Sequence, residues 1–217
     1  MAEKWIGVCR LDFAPEDAAD VLAEVLALQP GTPSGWQTPR ADLAEALRAA
    51  GCRAPTPPLQ PIFTALATDA PPPEVDGIEV RRIATFEEHL HGIEIELAAS
   101  DFGEEGETRR RAAARETFER RRKRPGGQWL VYVDGEPMGW AGAVAGPVGL
   151  YLSGGAVRPE ARGHGLYRAL VRARWDDAVA RGTPGLVTEA KPDTSYPILK
   201  RVGFVDVCTI RRLEDVR

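Results

Sequence analysis

The sequence predicts a mixed α/β fold, not a doubly wound parallel one. Three observations carry this. Over 77–210 the patterns run strand, two helices, three strands, helix, strand, helix, strand. Asp134-Gly135 stands between two apolar runs, which signals a two-residue hairpin and so an antiparallel pair. Seven of the 18 prolines fall between Pro55 and Pro73, ending in Pro71-Pro72-Pro73. Such a stretch neither continues a helix nor completes a strand ladder, and reads as a stiff extended linker. The organisation expected is a small N-terminal segment over 1–70, a linker over 71–76 and a larger domain over 77–217.

In the N-terminal segment, Ala14-Pro15-Glu16-Asp17 places proline and acids in a first turn. Val21, Leu22, Val25 and Leu28 follow at helical spacing. Pro39-Arg40-Ala41-Asp42 leads into Leu43, Leu47 and Ala50, with Gly51 as a stop. A strand is expected around 59–66. So few large apolar groups make a marginal independent core, so this α+β segment is expected to lean on the rest of the chain.

In the larger domain, 77–83 reads as a strand. Thr85-Phe86-Glu87-Glu88 is a capping box, and Phe86, Leu90, Ile93 and Leu97 form the apolar face behind it. One charged helix is expected over 105–122, stopped by Pro125-Gly126-Gly127. Strands follow at 129–133, 138–145 and 150–157. A helix over 163–180 carries Leu166, Leu170, Ala173 and Val179, and a strand at 186–190, a short helix at 195–202 and a strand at 204–210 complete the chain.

The chain has 217 residues and a net charge of -4, with 43% apolar and 28% charged residues, so collagen-like, coiled-coil and disordered classes are excluded. Apolar runs stay well short of the roughly 18 residues that span a bilayer, so no membrane partner is expected. The first residues carry no basic region before an apolar stretch, so no signal peptide is expected. Cys9, Cys52 and Cys208 are odd in number and far apart, which fits neither a disulfide framework nor a zinc site. A cytoplasmic location and no metal are the expectations. The acidic balance argues against a general nucleic-acid binder.

The stretch from Ala156 to Leu170, AVRPEARGHGLYRAL, carries the chemistry. A strand ends, a turn follows, and a glycine-containing loop opens a helix. A helix N-terminus offers unpaired N–H groups and the positive end of the macrodipole. Gly163 and Gly165 let an anion approach the backbone, and Arg162 and Arg168 add charge. A P-loop is excluded because no Gly-Lys pair occurs, and a Rossmann fingerprint because Arg168 stands where the third glycine belongs. The loop resembles that of the GCN5-related N-acetyltransferase (GNAT) superfamily, R/Q-x-x-G-x-G/A, matched by Arg162, Gly165 and, imperfectly, Tyr167. Ala156-Val157-x-Pro159 before it and Ile198-Leu199-Lys200-Arg201-Val202-Gly203-Phe204 after it match as well, and the element order over 77–210 is that of the family.

The resemblance implies a GNAT-type mixed, mostly antiparallel sheet flanked by helices. The N-terminal segment would then be a degenerate GNAT-like half-domain. It implies acetyl-CoA as acetyl donor, bound where strands 150–157 and 186–190 splay apart. Backbone at Ala156 and Val157 would pair with the pantetheine arm, and Arg162, Gly163, His164, Gly165, Leu166, Tyr167 and Arg168 would hold the diphosphate. The acceptor implied is a small-molecule or peptide amine, in a pocket involving Asp101, Glu104, Tyr151 and Ser153. Glu189 is the candidate base. The family's usual acid, a tyrosine four residues before Gly-Phe, is replaced by Leu199, which leaves Tyr196 as the candidate acid. The family's asparagine before this helix is absent too, with Pro192-Asp193-Thr194 in its place. These gaps support an alternative, a non-catalytic acyl-CoA-binding module. A monomer or homodimer is expected.

The nine basic residues of 109–124 read either as a nucleic-acid or CoA-phosphate patch or as a solvated helix with pairs such as Arg115–Glu119. The solvated helix is the favoured reading. His89 and His91 do not share a helical face, so they are not expected to bind metal together. Trp129 and Trp140 read as core.

Overall fold

The computed structural model describes residues 6–8, 11–55 and 62–215. In chain order the elements are β1 (Ile6–Val8), α1 (Ala18–Leu28), β2 (Ser34–Thr38), α2 (Ala41–Ala49), β3 (Ile62–Thr68), β4 (Glu79–Arg82), α3 (Phe86–Ala99), α4 (Gly103–Ala112), α5 (Ala114–Arg122), β5 (Gly126–Val133), β6 (Glu136–Gly146), β7 (Gly149–Val157), α6 (Leu166–Ala180), β8 (Leu186–Ala190), α7 (Ser195–Arg201) and β9 (Val205–Asp215). The chain folds as two compact units. One takes the residues up to 66 with 189–199 and 206–217; the other takes 67–188 and 200–205. Cys9, and the part of the expected 59–66 strand before Ile62, lie outside the described residues.

The first unit orders its strands β1-β2-β9-β3. β1 lies parallel to β2, and β2 antiparallel to β9 with Trp36 opposite Leu213. Trp36 is fully buried among Leu22, Leu47, Cys52 and Leu213. Its indole N–H donates to Ser34 Oγ at 2.8 Å, so the large apolar surface is buried with its polar atom satisfied. Leu213 comes from the far end of the chain, and so supplies apolar surface that 1–70 lacks.

The second unit orders its strands β4-β5-β6-β7-β8. The first three pairings are antiparallel and β7–β8 is parallel. The result is the mixed, mostly antiparallel sheet expected. Asp134 and Gly135 take φ of 51° and 84° at the β5–β6 hairpin, which matches a type I′ turn. Ile95 of α3 packs on Leu130, Tyr132 and Trp140 on one face of the sheet, while Tyr167 of α6 lies against Gly155. Side chains alternate along a strand, so α3 and α6 cover opposite faces. The capping box forms, with Thr85 Oγ1 accepting from Glu88 N–H and Glu88 Oε2 from Thr85 N–H.

Three sequence expectations are corrected. The charged helix is two helices, broken at Ala113 within Ala112-Ala113-Ala114. No proline or glycine marks the break; it lets Ala114 bury against Ile93 and Leu97, and Phe118 is buried further along α5. On α3, His89 is buried and Leu90 exposed. On α6, which starts at Leu166 and not at 163, Arg174 is buried and Val179 exposed.

Among the described residues no helix is long and apolar enough to cross a membrane.

Candidate active site

β7 pairs with β6 along its whole length but with β8 only near its start. The parallel register joins Leu150 to Leu186 and Tyr151 to Val187. One step on, the Thr188 hydroxyl donates to the Leu152 carbonyl at 3.2 Å. On the β6 side the register shifts, with Gly142 opposite Gly154 but Ala143 opposite Leu152, so Ser153 is the extra residue of a β-bulge. A bulge bends its strand and re-aims the groups beside it. Past it, Arg158 N–H donates to the Met138 carbonyl. The alternation of an antiparallel ladder then turns Ala156 toward β6 and the backbone N–H and C=O of Gly155 and Val157 toward the opposite edge. Ser153, Gly154 and Gly155 are exposed and Ala156 half-buried.

β7 ends in a 3-10 turn at Pro159–Ala161, and the loop turns into α6 through Gly165 at φ +80°, which caps the helix without a side-chain hydrogen bond. That φ suits glycine. The first amides of α6 are therefore not taken by a capping side chain. Arg162 Nε donates to the Val157 carbonyl and its Nη2 to the Ala99 carbonyl, both at 3.3 Å, so this arginine ties the loop to the end of α3. Gly163, His164 and Arg168 are exposed and Leu166 is buried. Tyr167 turns toward the sheet, where a Cβ on Gly155 would come within 3.1 Å of its ring. The bulky residue of the loop is thus accommodated by a missing side chain on β7.

Beneath the bulge lies Arg174, fully buried. Its Nε donates to the Leu170 carbonyl at 2.9 Å, and Nη1 reaches the carbonyls of Gly142 at 3.4 Å and Gly154 at 3.2 Å. Nη2 is buried with no hydrogen-bond partner among the described residues. Burial pushes this guanidinium below its ordinary pKa, with Tyr167 acting in the other direction.

A cavity of about 550 Å³ opens beside Gly142 and Ser153 and is lined by arginines of β4, α5, the α5–β5 turn and the end of α6. Its wall is braced by Gln128, whose Oε1 accepts from Arg121 Nη1 at 2.7 Å, His89 Nδ1 at 3.2 Å and Trp140 Nε1 at 3.3 Å. Arg115 does not pair with Glu119 but lies over the Phe86 ring at 3.4 Å, and Glu119 pairs with Arg122.

Burial, and then the charge of Arg121, lower the His89 pKa below its ordinary 6.5. An unfolded chain therefore takes up this proton first. The stability His89 contributes is complete above about pH 6.5 and is lost as pH falls below it. The melting temperature is expected to decline with acid below about pH 6.5, and less so in His89→Gln. Equal slopes for the two proteins in melts at pH 7.5, 6.5 and 5.5 would refute this.

The remaining sequence candidates are dispersed. Asp101 Oδ1 accepts from Gly103 N–H at 3.1 Å and is exposed, as is Glu104 in the first turn of α4; neither lines the cavity. Ser153 lines it, and Tyr151 is exposed. Glu189 and Tyr196 belong to the first unit. There Arg212 Nη2 donates to Glu189 Oε2 at 2.5 Å while lying over Phe63, and Tyr196 Oη donates to Asp206 Oδ2 at 2.9 Å. Leu199 is buried. The sequence reading missed Arg174 and Gln128. An arginine amid the apolar positions of α6 was the one available signal.

A family model described as Acetyltransferase (GNAT) family matches residues 94–204, just over half of the chain. No curated protein matches it. Among solved structures, a GCN5-related N-acetyltransferase from Kribbella flavida superposes with a TM-score of 0.66 at 18% identity, over 94% of this chain and 77% of that one. A conserved protein of unknown function from Staphylococcus epidermidis gives 0.63 at 11% identity, over 95% and 90%. A tandem GNAT protein from the clavulanic acid biosynthesis pathway gives 0.65 at 16% identity, over 88% and 66%. At these identities the likeness is one of fold.

Proposed function

Because the chain belongs to the GNAT family of acetyltransferases, we propose that it moves an acetyl group from acetyl-CoA to a primary amine by direct attack. The observation that carries the reading is the start of α6. Its amides, uncapped by any side chain, follow Gly165 at the end of the β7 loop and suit a diphosphate. The outward backbone of Gly155 and the N–H of Val157, in place of the backbone of Ala156, which is turned to β6, suit the amides of the pantetheine arm. From Ser153 to Val157 the strand runs about 13 Å at about 3.3 Å per residue, which suits an arm stretched between a diphosphate and a thioester.

In the reaction, the amine nitrogen forms a bond to the thioester carbonyl carbon, the carbon–sulfur bond breaks, its electron pair leaves on the CoA sulfur, and the nitrogen gives up a proton. N–H groups fixed at the bulge would stabilise the oxyanion, usually the largest catalytic term. Glu189 is the candidate base, and Tyr196, hydrogen-bonded to Asp206, the candidate acid. A thiolate of pKa about 8.5 leaves adequately without an acid, so Leu199 does not preclude turnover. No metal is assigned a role, and the location proposed is the cytoplasm.

The test follows CoA release with a panel of amines. Turnover on any amine supports the enzyme. Tight acetyl-CoA binding without turnover supports instead the non-catalytic acyl-CoA module that Leu199 favours. Absence of acetyl-CoA binding overturns both.

A further inference from the structure

Six arginines, Arg82, Arg120, Arg121, Arg122, Arg124 and Arg181, line the cavity beside Ser153, and no Asp or Glu is among the described residues that line it. We propose that this cavity receives the acceptor and that the acceptor carries an anionic group, a phosphate or carboxylate, besides its amine. The inference rests on the acetyltransferase reading.

Charge is the first argument. Asp177 serves both Arg82 at 2.7 Å and Arg181 at 2.6 Å. Glu116 pairs with Arg120 at 3.4 Å and Glu119 with Arg122 at 3.7 Å. Three carboxylates thus face six guanidiniums, and Arg121 and Arg124 form no ion pair among the described residues. A concave surface with about three uncompensated positive charges concentrates anions and repels a plain ammonium group.

Pre-organisation is the second. Arg121 is held by Gln128, which is itself fixed by His89 and Trp140. Arg82 and Arg181 share both Asp177 and the Gly126 carbonyl. Guanidiniums oriented before a ligand arrives lose little freedom on binding it.

Position is the third. The cavity touches Ser153, the bulge residue, whereas the diphosphate is assigned to the start of α6. Arg181 follows the end of that helix, about 22 Å from its start at about 1.5 Å per residue. The donor's diphosphate therefore does not account for the arginines, and an anionic acceptor entering at the thioester end does.

The experiment compares kcat/KM of the full chain, with saturating acetyl-CoA, for O-phosphoethanolamine and aspartate against ethanolamine and putrescine. At least a tenfold advantage is expected for one of the anionic amines, and whichever is favoured identifies the group. That advantage should shrink with added salt and disappear in the double variant Arg121→Gln/Arg124→Gln. Arg48→Gln, a surface change on α2, should leave it intact. Preference for ethanolamine or putrescine, or an advantage that survives the double variant, overturns the anionic acceptor and leaves the acetyltransferase reading standing. If no amine turns over, calorimetric binding of O-phosphoethanolamine or aspartate to the CoA-saturated chain decides. Binding weakened tenfold or more in the double variant supports the anion site, and no binding overturns it.

Discussion

Gly165→Glu is expected to lower acetyl-CoA affinity by roughly a hundredfold. Two effects add. A side chain at φ +80° costs about 1–3 kcal/mol, so the backbone relaxes away from the geometry that aims the α6 amides. A carboxylate at the same point competes for the positive end of the helix, worth about 0.3–1 kcal/mol, and repels a diphosphate. Together these come to about 3 kcal/mol, or two powers of ten. The space beside Gly165 is not the cause. A Cβ there meets Val75 Cγ1 at 3.4 Å, an ordinary contact. Gly165→Ala therefore isolates the strain and should cost roughly tenfold. Titration calorimetry with acetyl-CoA reads both. Wild-type affinity in a Glu variant that melts normally would place the diphosphate elsewhere and remove the basis of the proposed function.

Arg174→Met is expected to lower kcat by roughly ten- to a hundredfold while acetyl-CoA affinity moves little. The stability terms oppose each other. Removing the guanidinium leaves the Gly142 and Gly154 carbonyls without this donor, about 1–3 kcal/mol each. It also relieves a desolvated charge that makes no ion pair among the described residues, and apolar replacements of buried charges recover a similar amount. The net change in melting should be small, and the loss falls on geometry. One nitrogen holds both strands of the bulge at Gly142 and Gly154, and a displacement of about 1 Å beside a reacting carbonyl can cost a hundredfold. Arg174→Lys keeps the charge without the fork and should recover part of the rate. A Met variant with unchanged kcat and unchanged pH profile would show that Arg174 only packs.

Much of the second unit was legible because its signals are local. The capping box at Thr85, the Asp134-Gly135 hairpin and the glycine loop before α6 each depend on a few neighbouring residues, and each formed. The faces of helices were less legible. Phe86, Leu90, Ile93 and Leu97 satisfy helical spacing, but the packing of Trp140 and Phe118 buries His89 and leaves Leu90 outside. Val179 fits the apolar spacing of α6 yet is exposed, while Arg174 is buried where strand carbonyls accept from its guanidinium. The break between α4 and α5 has no local signal at all, since three alanines would continue a helix.

The divide is physical. Backbone preference, turn chemistry and periodicity act over fewer than ten residues, so nearest neighbours set the element order, the hairpin and the loop that starts α6. Arg82, Arg121 and Arg181 are separated along the chain by up to 99 positions, and Arg174 lies 20 positions from the Gly154 carbonyl it meets. Whether such residues form a solvated charge run, a cationic cavity or a buried clamp depends on which carbonyls and carboxylates the folded strands bring to them. That is decided by the register of β6 on β7 and the packing of α5 and α6, which no short window of residues contains.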